Sequence, residues 1–455
     1  MEVSTGNIFL MSEVIKVIEW EEMTRIANAI SSGAMGVSLA HCIEEDRFYI
    51  YKQGYWQEVY EVELLKEMAL HSEFRFVVKH AISKRKQIIE NLKILTQRRL
   101  ELFNVKGYLN FDVGEFDPLS IQMLDHDKNN YSTMRIDYPF DGSAKCPLWE
   151  KTLLEIFEDD VQKVGLLQEF FGYCITPDIS HKKALLLLGD TDSGKSTILN
   201  IMRLMLGAKN CSSVPLKYLS HPQYTPMMIN KFANIDADVA KDAQSYEAEF
   251  KIITSGEPIS CNQKFVETFE FVPRCKIILA ANIFPTITDH SSAFYSRLIL
   301  IPCNRRFSEQ EKNRNLVKQL TEELAGIFNW AVAGLRRLNE RGMFPQDNFM
   351  LAAVKELEDI NNPTNIFFED HVEIEIGDHV HIEKGVLYDY YKAWAMKSGH
   401  GYLTLARFSE TVYKKFSKVT PKTTNLVTTG KRIWRNLRYV DQKGEAQGEV
   451  IQWQE

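Results

Sequence analysis

Residues 184–207 read ALLLLGDTDSGKSTILNIMRLMLG: an apolar run, a glycine-punctuated loop and an amphipathic helical pattern. Gly189, Gly194, Lys195 and Ser196 fill the spacing G-x-x-x-x-G-K-[ST]. A strand that turns into a helix through such a loop presents backbone N–H groups and a helix amino end to one point, which makes an anion cradle. Gly189, Asp190, Thr191, Asp192, Ser193, Gly194, Lys195, Ser196 and Thr197 are therefore the candidate nucleotide-binding residues. Lys195 is expected to reach the β- and γ-phosphates and Ser196 to ligate Mg²⁺, so ATP and Mg²⁺ are the expected cofactors.

The length of 455 residues exceeds what one core usually supports, and 45% apolar content is enough for more than one. Alternation of the apolar runs 184–188, 232–235, 276–281 and 298–302 with helical stretches predicts an α/β fold with a mainly parallel sheet. This motor region is expected over 147–343, preceded by a small α+β and connector region over 1–146 and followed by a C-terminal domain over 344–455. Within the first region, Arg75, Lys79, Lys84, Arg85, Lys86, Lys93, Arg98, Arg99 and Lys106 face only Glu90 and Glu101. That excess reads as a solvated helix face or as a nucleic-acid or subunit contact.

The formal net charge of −7 argues against nucleic-acid binding by the chain as a whole, but the basic residues are clustered. Seven cysteines without C-x-x-C spacing indicate reduced thiols and no zinc module, hence a cytoplasmic compartment. The N-terminus lacks the features of a signal peptide, and no apolar run approaches about 18 residues, so no membrane association is expected.

Residues 384–397 and 404–418 read as two helices around the turn Ser398-Gly399-His400-Gly401, the second capped by Thr404. The following PKTTNLVTTGKRIWRNLRYV suggests a β-hairpin wing. Nine basic residues between 402 and 439 (Arg407, Lys414, Lys415, Lys418, Lys422, Lys431, Arg432, Arg435 and Arg438) stand against Glu410 alone. A winged helix with a basic face fits this pattern, touching DNA through Lys414, Lys415, Lys431, Arg432 and Arg435, or docking a partner protein.

Three elements behind the loop bear on hydrolysis. The run Phe232-Ala233-Asn234-Ile235 ends in Asp236-Ala237-Asp238, where carboxylates can hold the Mg²⁺ water shell and polarise an attacking water. The run 276–281 ends in Asn282, which can sense a γ-phosphate, and Arg297 opens the next apolar run. In isolation, Asp-x-Asp also suits a polymerase-type metal pair, Asn282 a strand-end turn and Arg297 a surface ion pair. As a set, Lys195, Asp236, Asp238, Asn282 and Arg297 are the candidate catalytic residues.

The series GDTDSGKST, FANIDAD, GEPISCNQKFVETFEFVPRCKIILAANIFP and SSAFYSRLILIP resembles the superfamily 3 helicases, specifically the phage, plasmid and poxvirus primase-helicase family. DYPFDGSAKCPLWEKTL and LYDYYKAWAMKSG resemble its upstream domain and winged-helix tail. The resemblance implies an AAA+-like motor with Lys195 and Ser196 in Walker A, Asp238 as Walker B carboxylate beside Asp236, Asn282 as sensor 1 and Arg297 as arginine finger. Departures are the two aspartates at Walker B and a single arginine at Ser296-Arg297 where many relatives carry a pair, with Arg305 and Arg306 nearby. It further implies a pore hairpin at Ser260 to Phe265, with Lys264 and Phe265 gripping single-stranded DNA. The function implied is an ATP-dependent replicative DNA helicase of a phage, plasmid or mobile element in the host cytoplasm. It would act as a ring, a hexamer, on single-stranded and forked or origin duplex DNA, alongside a primase or polymerase. An ATP-switched origin-binding initiator is the alternative, and a small-molecule P-loop kinase a further rival.

Overall fold

The computed structural model describes residues 24–33, 35–71, 82–240, 246–262, 267–284, 287, 292–377, 380–420 and 431–440. Alternating aromatic residues near the N-terminus pair as strands because every second side chain reaches one core. Strands β1 (Ser38–Cys42), β2 (Arg47–Lys52) and β3 (Tyr55–Val59) form an antiparallel ladder with Leu39 opposite Ile50 and Phe48 opposite Val59. Helices α1 (Glu61–Leu70) and α2 (Ile82–Thr96) bury Leu64, Met68, Ile88 and Leu92 in the same core. Helix α2 ends at Thr96, because β4 (Gln97–Arg98) pairs parallel to β1 and the Leu100 N–H donates to the Glu44 carboxylate at 2.8 Å. Part of the basic excess is consumed here. Lys93 lies 2.9 Å from Asp46 and 3.2 Å from Glu61, and Arg98 Nε donates to the Tyr131 hydroxyl at 2.7 Å. Arg75 and Lys79 lie outside the described residues.

The segment read as a connector packs into the core beside the parallel sheet. Strands β5 (Leu109–Asn110), β6 (Glu115–Asp117) and β7 (Gln122–Leu124) form a small antiparallel sheet. Phe111 and Phe116 each meet Phe328 edge-on at 5.0 Å between ring centres, and the Tyr138 hydroxyl donates to the Met205 carbonyl at 2.8 Å. Strands of two or three residues cannot bury such rings among themselves, so they insert into a neighbouring core.

Next come α3 (Pro147–Ile156), α4 (Val161–Cys174), β8 (Ala184–Leu188), α5 (Lys195–Leu206), β9 (Cys211–Ser212), β10 (Ala233–Asp236) and α6 (Glu247–Ser255). They are followed by β11 (Ile259–Cys261), β12 (Phe269–Phe271), β13 (Lys276–Ala281), α7 (Ser292–Tyr295), β14 (Leu298–Pro302), α8 (Leu316–Thr321) and α9 (Leu324–Arg341). Five strands form a parallel sheet in the order β14-β8-β13-β10-β9. Its central strands are buried on both faces, which is why they read as continuous apolar runs. Opposite β8, Leu188 aligns with Ala281, and opposite β10, Leu279 aligns with Asp236, so these strands end together at one edge. Helix α4 lies along α9, where buried Glu169 accepts from Arg337 Nε at 3.3 Å and from Arg341 Nη2. The Glu323 carboxylate caps α3 by accepting from Leu148 and Trp149 N–H at 3.0 and 2.9 Å.

Contacts divide the chain into one unit of residues 1–286 and 292–350 and a second of residues 287–291 and 351–455. The boundary falls inside α10 (Asn348–Asn361). Within the second unit, α11 (Pro363–His371), α12 (Lys384–Lys397) and α13 (Leu405–Phe416) enclose Phe367, Tyr391, Phe408 and Trp434. Thr404 caps α13, its hydroxyl accepting from the Arg407 N–H. Strands β15 (Val372–Ile374) and β16 (His381–Glu383) precede α12, and β17 (Ile433–Arg435) and β18 (Leu437–Tyr439) follow α13. The described part of the stretch read as a wing thus pairs back with residues 372–383: β17 with β16 and β18 with β15, both antiparallel. Residues 421–430 lie outside the described residues.

Candidate functional site

The loop after β8 leaves the sheet between β13 and β14. Gly189 N–H donates to the Ala281 carbonyl at 3.2 Å, and Cys303 N–H donates to the Leu188 carbonyl at 2.7 Å. A side chain at position 189 would place its Cβ 2.1 Å from the Cys303 carbonyl oxygen, so only glycine fits. At Gly194 the backbone turns with φ +88° into α5, and a Cβ there would strike Ile156 at 2.6 Å. These two glycines convert strand into helix within six residues.

The Lys195 ammonium closes the loop from inside. It donates to the carbonyls of Gly189 and Asp190 at 2.7 and 2.6 Å and to Ser193 Oγ at 3.0 Å. Burial lowers its pKa, while the nearby charges of Asp190, Asp192 and Asp238 favour the ammonium. Ser196 is exposed at the first turn of α5, and Thr197 is half-buried.

The aspartates differ in environment. Asp236 ends β10, and its Oδ2 accepts from the Leu216 N–H at 2.7 Å. Burial raises its carboxyl above the usual range, partly offset by that N–H and by the backbone N–H of Asp238. Asp238 is exposed, and the turn that carries it is held beside β13 by Val239 N–H donating to the Ala280 carbonyl at 3.0 Å. Asn282, exposed at the end of β13, reaches Thr191 of the loop, Nδ2 to Oγ1 at 3.3 Å. Three neighbouring strands therefore deliver Lys195, Asp238 and Asn282 to one edge of the sheet, the carboxyl edge where open α/β sheets bind ligands.

Arg297 is at the other edge, ahead of β14. Its guanidinium donates to the Ala293 carbonyl and, at 2.9 Å, to Ser255 Oγ, while Nε is buried without a hydrogen-bond partner among the described residues.

Of the segment 303–312 the sequence pointed only to Arg305 and Arg306; the structure lays the segment across the loop. Phe307 N–H donates to the Asp192 carbonyl at 3.0 Å, and Lys312 pairs with the Asp192 carboxylate at 2.9 Å. Arg305 donates to the Glu155 carbonyl and to Glu311, both at 3.0 Å. The N–H and hydroxyl of Ser308, together with Arg305, hold the Glu311 carboxyl down to about 2. The signal available was a dense polar run directly behind an apolar strand.

Strands β11 and β12 pair as a hairpin stem, Ser260 opposite Glu270; Lys264 and Phe265 lie outside the described residues. In the second unit, several cations read as a basic face have carboxylate partners. Lys414 pairs with Glu410 at 3.0 Å, Lys415 with Glu369 at 3.6 Å, Lys431 with Glu383 at 2.7 Å and Arg438 with Glu373 at 2.7 Å. Three of these four carboxylates come from residues 369–383, upstream of the basic stretch 402–439. Among the described residues no ion pair engages Arg432 or Arg435, and no cluster of three or more His, Cys, Asp or Glu suits a metal ion. No helix among them is long and apolar enough to cross a membrane.

Residues 24–158 match the family model described as D5 N terminal like, and residues 187–297 match a family of unknown function, DUF5906. Over 142 residues the chain is 23% identical to "Putative helicase 121R" of Invertebrate iridescent virus 3, covering 29% of this chain. The chain spans about 15% of the length of that curated relative. The apo structure of the NrS-1 C-terminal region superposes on 91% of this chain and 98% of its own, with a TM-score of 0.53 and 14% identity. The A form apo structure of that region covers 88% of this chain and 96% of its own, with a TM-score of 0.52 and 14% identity. These structures share the fold of this chain.

Proposed function

We propose that this chain is an ATP-driven DNA helicase motor serving replication of a phage, plasmid or other mobile element. The observation that carries the reading is the convergence of Lys195, Asp238 and Asn282 at the carboxyl edge of one parallel sheet, with the Asn282 amide on Thr191 of the phosphate loop. The relative named as a helicase and the match to the D5 N terminal like model support placing that chemistry in a primase-helicase.

In this reading Lys195 exchanges the carbonyls of Gly189 and Asp190 for phosphate oxygens. Its present partners are neutral acceptors, and an anionic one binds an ammonium more strongly. Exposed Ser196 and Asp238 suit Mg²⁺, which takes oxygen ligands and keeps several waters; bound there, the ion neutralises phosphate charge. Asp238 polarises the attacking water and Asn282 orients it. Asp236, tied to the Leu216 N–H, holds the turn that presents Asp238. Arg297 acts on the ATP of a neighbouring subunit, which requires a head-to-tail ring, a hexamer in our proposal. The β11–β12 hairpin, with Lys264 and Phe265, and the C-terminal unit contact DNA.

The test is ATPase and strand displacement on a forked duplex by the full chain and by Lys195→Ala. We expect DNA-stimulated hydrolysis and unwinding, both lost in a variant that melts normally. An origin-binding initiator would bind duplex and displace nothing, and a small-molecule kinase would hydrolyse ATP regardless of DNA.

A further inference from the structure

At the sheet edge opposite the phosphate loop, the segment 226–231, which leads into β10, and edge strand β9 face β2 and β3 across a cleft of about 720 Å³. That is within the range of nucleotide-sized sites. Phe232 N–H donates to the Asn210 carbonyl at 2.9 Å, and Asn210 Nδ2 donates to the Arg135 carbonyl at 2.7 Å. Arg135, Lys209 and Lys231 are thereby knitted onto one framework, and all three line the cleft.

The charges in it do not cancel. Arg47 is taken up by Glu58 at 3.2 Å and Glu45 at 3.9 Å, and Glu45 also accepts from the Tyr49 hydroxyl at 3.0 Å. Asp137 is the remaining carboxylate beside the three other cations. The Arg135 guanidinium stands 5.6 Å from the centre of the Tyr55 ring, and its Nη1 is buried without a hydrogen-bond partner among the described residues. Lys231 Nζ donates to the Lys209 carbonyl at 2.5 Å; an ammonium has three donors, and among the described residues no carboxylate pairs with it. Burial lowers the Lys231 pKa, an effect that the charges of Glu58 and Glu45 only partly offset.

An unsatisfied guanidinium nitrogen and two ammonium groups in one concavity call for an anion with several acceptor oxygens. We infer that this cleft is a second phosphate-binding site, separate from the P-loop, taking phosphate groups of a polynucleotide backbone or of a free nucleotide. It does not depend on the helicase reading, because none of its residues belongs to the ATP site.

The test uses the full chain carrying Lys195→Ala, so that the P-loop does not contribute. Fluorescein-labelled oligothymidylate and pyrophosphate are the probes, and the readouts are anisotropy and protection of Lys231 from acetylation, located by mass spectrometry. We expect Arg135→Gln and Lys231→Gln each to weaken binding of the protecting probe roughly tenfold or more, the worth of one charge-assisted hydrogen bond. Protection by oligothymidylate alone assigns the phosphate to a polynucleotide, and protection by pyrophosphate assigns it to a free nucleotide. The acetylation arm needs neither of these two substitutions and so holds if they fail to fold. Lys231 acetylated equally with and without both probes would overturn the inference.

Discussion

Ala184 donates its N–H to the Arg297 carbonyl at 2.8 Å, which fixes the arginine where β8 begins, whereas the Gly189–Gly194 loop starts where β8 ends. At about 3.3 Å per residue the two ends lie roughly 13 Å apart. An arginine anchored toward Ser255 does not span that distance to its own subunit's loop. If Arg297 meets a phosphate, the phosphate belongs to another copy.

Arg297→Ala and Lys195→Ala should therefore each be inactive alone yet recover part of the ATPase when mixed, since some interfaces then pair an intact loop with an intact arginine. Turnover in mixtures no higher than in either parent would remove Arg297 from the site.

The two aspartates should separate by phenotype. Asp238→Asn should abolish hydrolysis with an unchanged melting temperature, because an exposed carboxylate carries no packing. Asp236→Ala should cost about 1–3 kcal/mol, leaving the Leu216 N–H without its acceptor. Urea denaturation and ATPase assays of both variants decide it; a stable, inactive Asp236→Ala would reverse the roles.

Lys276, enclosed at the start of β13, donates to the Thr176 carbonyl and lies 4.6 Å from the centre of the Tyr173 ring. Burial lowers its pKa from 10.5 to about 8, against the opposing charge of Asp178. Between those values the unfolded chain binds the extra proton, so stability should rise with pH from about 8 to about 10.5. The charging penalty, roughly 3 kcal/mol, is fully present below pH 8. Lys276→Met should flatten this rise in denaturation curves at pH 7 and 9.5. Parallel pH profiles for the two proteins would refute it.

If the C-terminal unit binds DNA, Arg432 and Arg435 should matter more than the lysines. Neutralising either arginine should lower the salt-dependence slope by about one, while Lys414→Gln and Lys431→Gln should change it less, their charges being already paired. Equal slope changes across the four variants would show that the ion pairs open on binding.

Much of the parallel-sheet unit was legible because its signals are local. The loop spacing, the doubly buried strands and the Thr404 cap each depend on residues a few positions apart. The C-terminal charge balance was not legible, since Glu369, Glu373 and Glu383 reach Lys415, Arg438 and Lys431 only after residues 369–383 come to lie beside α13, β17 and β18. The connector misled for the same reason: nothing near Phe111 or Phe116 in sequence announces Phe328 as their partner.

The sequence by itself determined a glycine-punctuated strand-to-helix loop, a mainly parallel sheet and the order of its polar strand ends. Those follow from backbone sterics at Gly189 and Gly194 and from the periodicity of burial, both properties of short segments. The tertiary structure decided what each strand end faces. Strand order and register put Asp238 and Asn282 at the loop, tied Asp236 to Leu216 and sent Arg297 to the far edge, because which charges meet depends on how distant segments stack to bury their apolar faces.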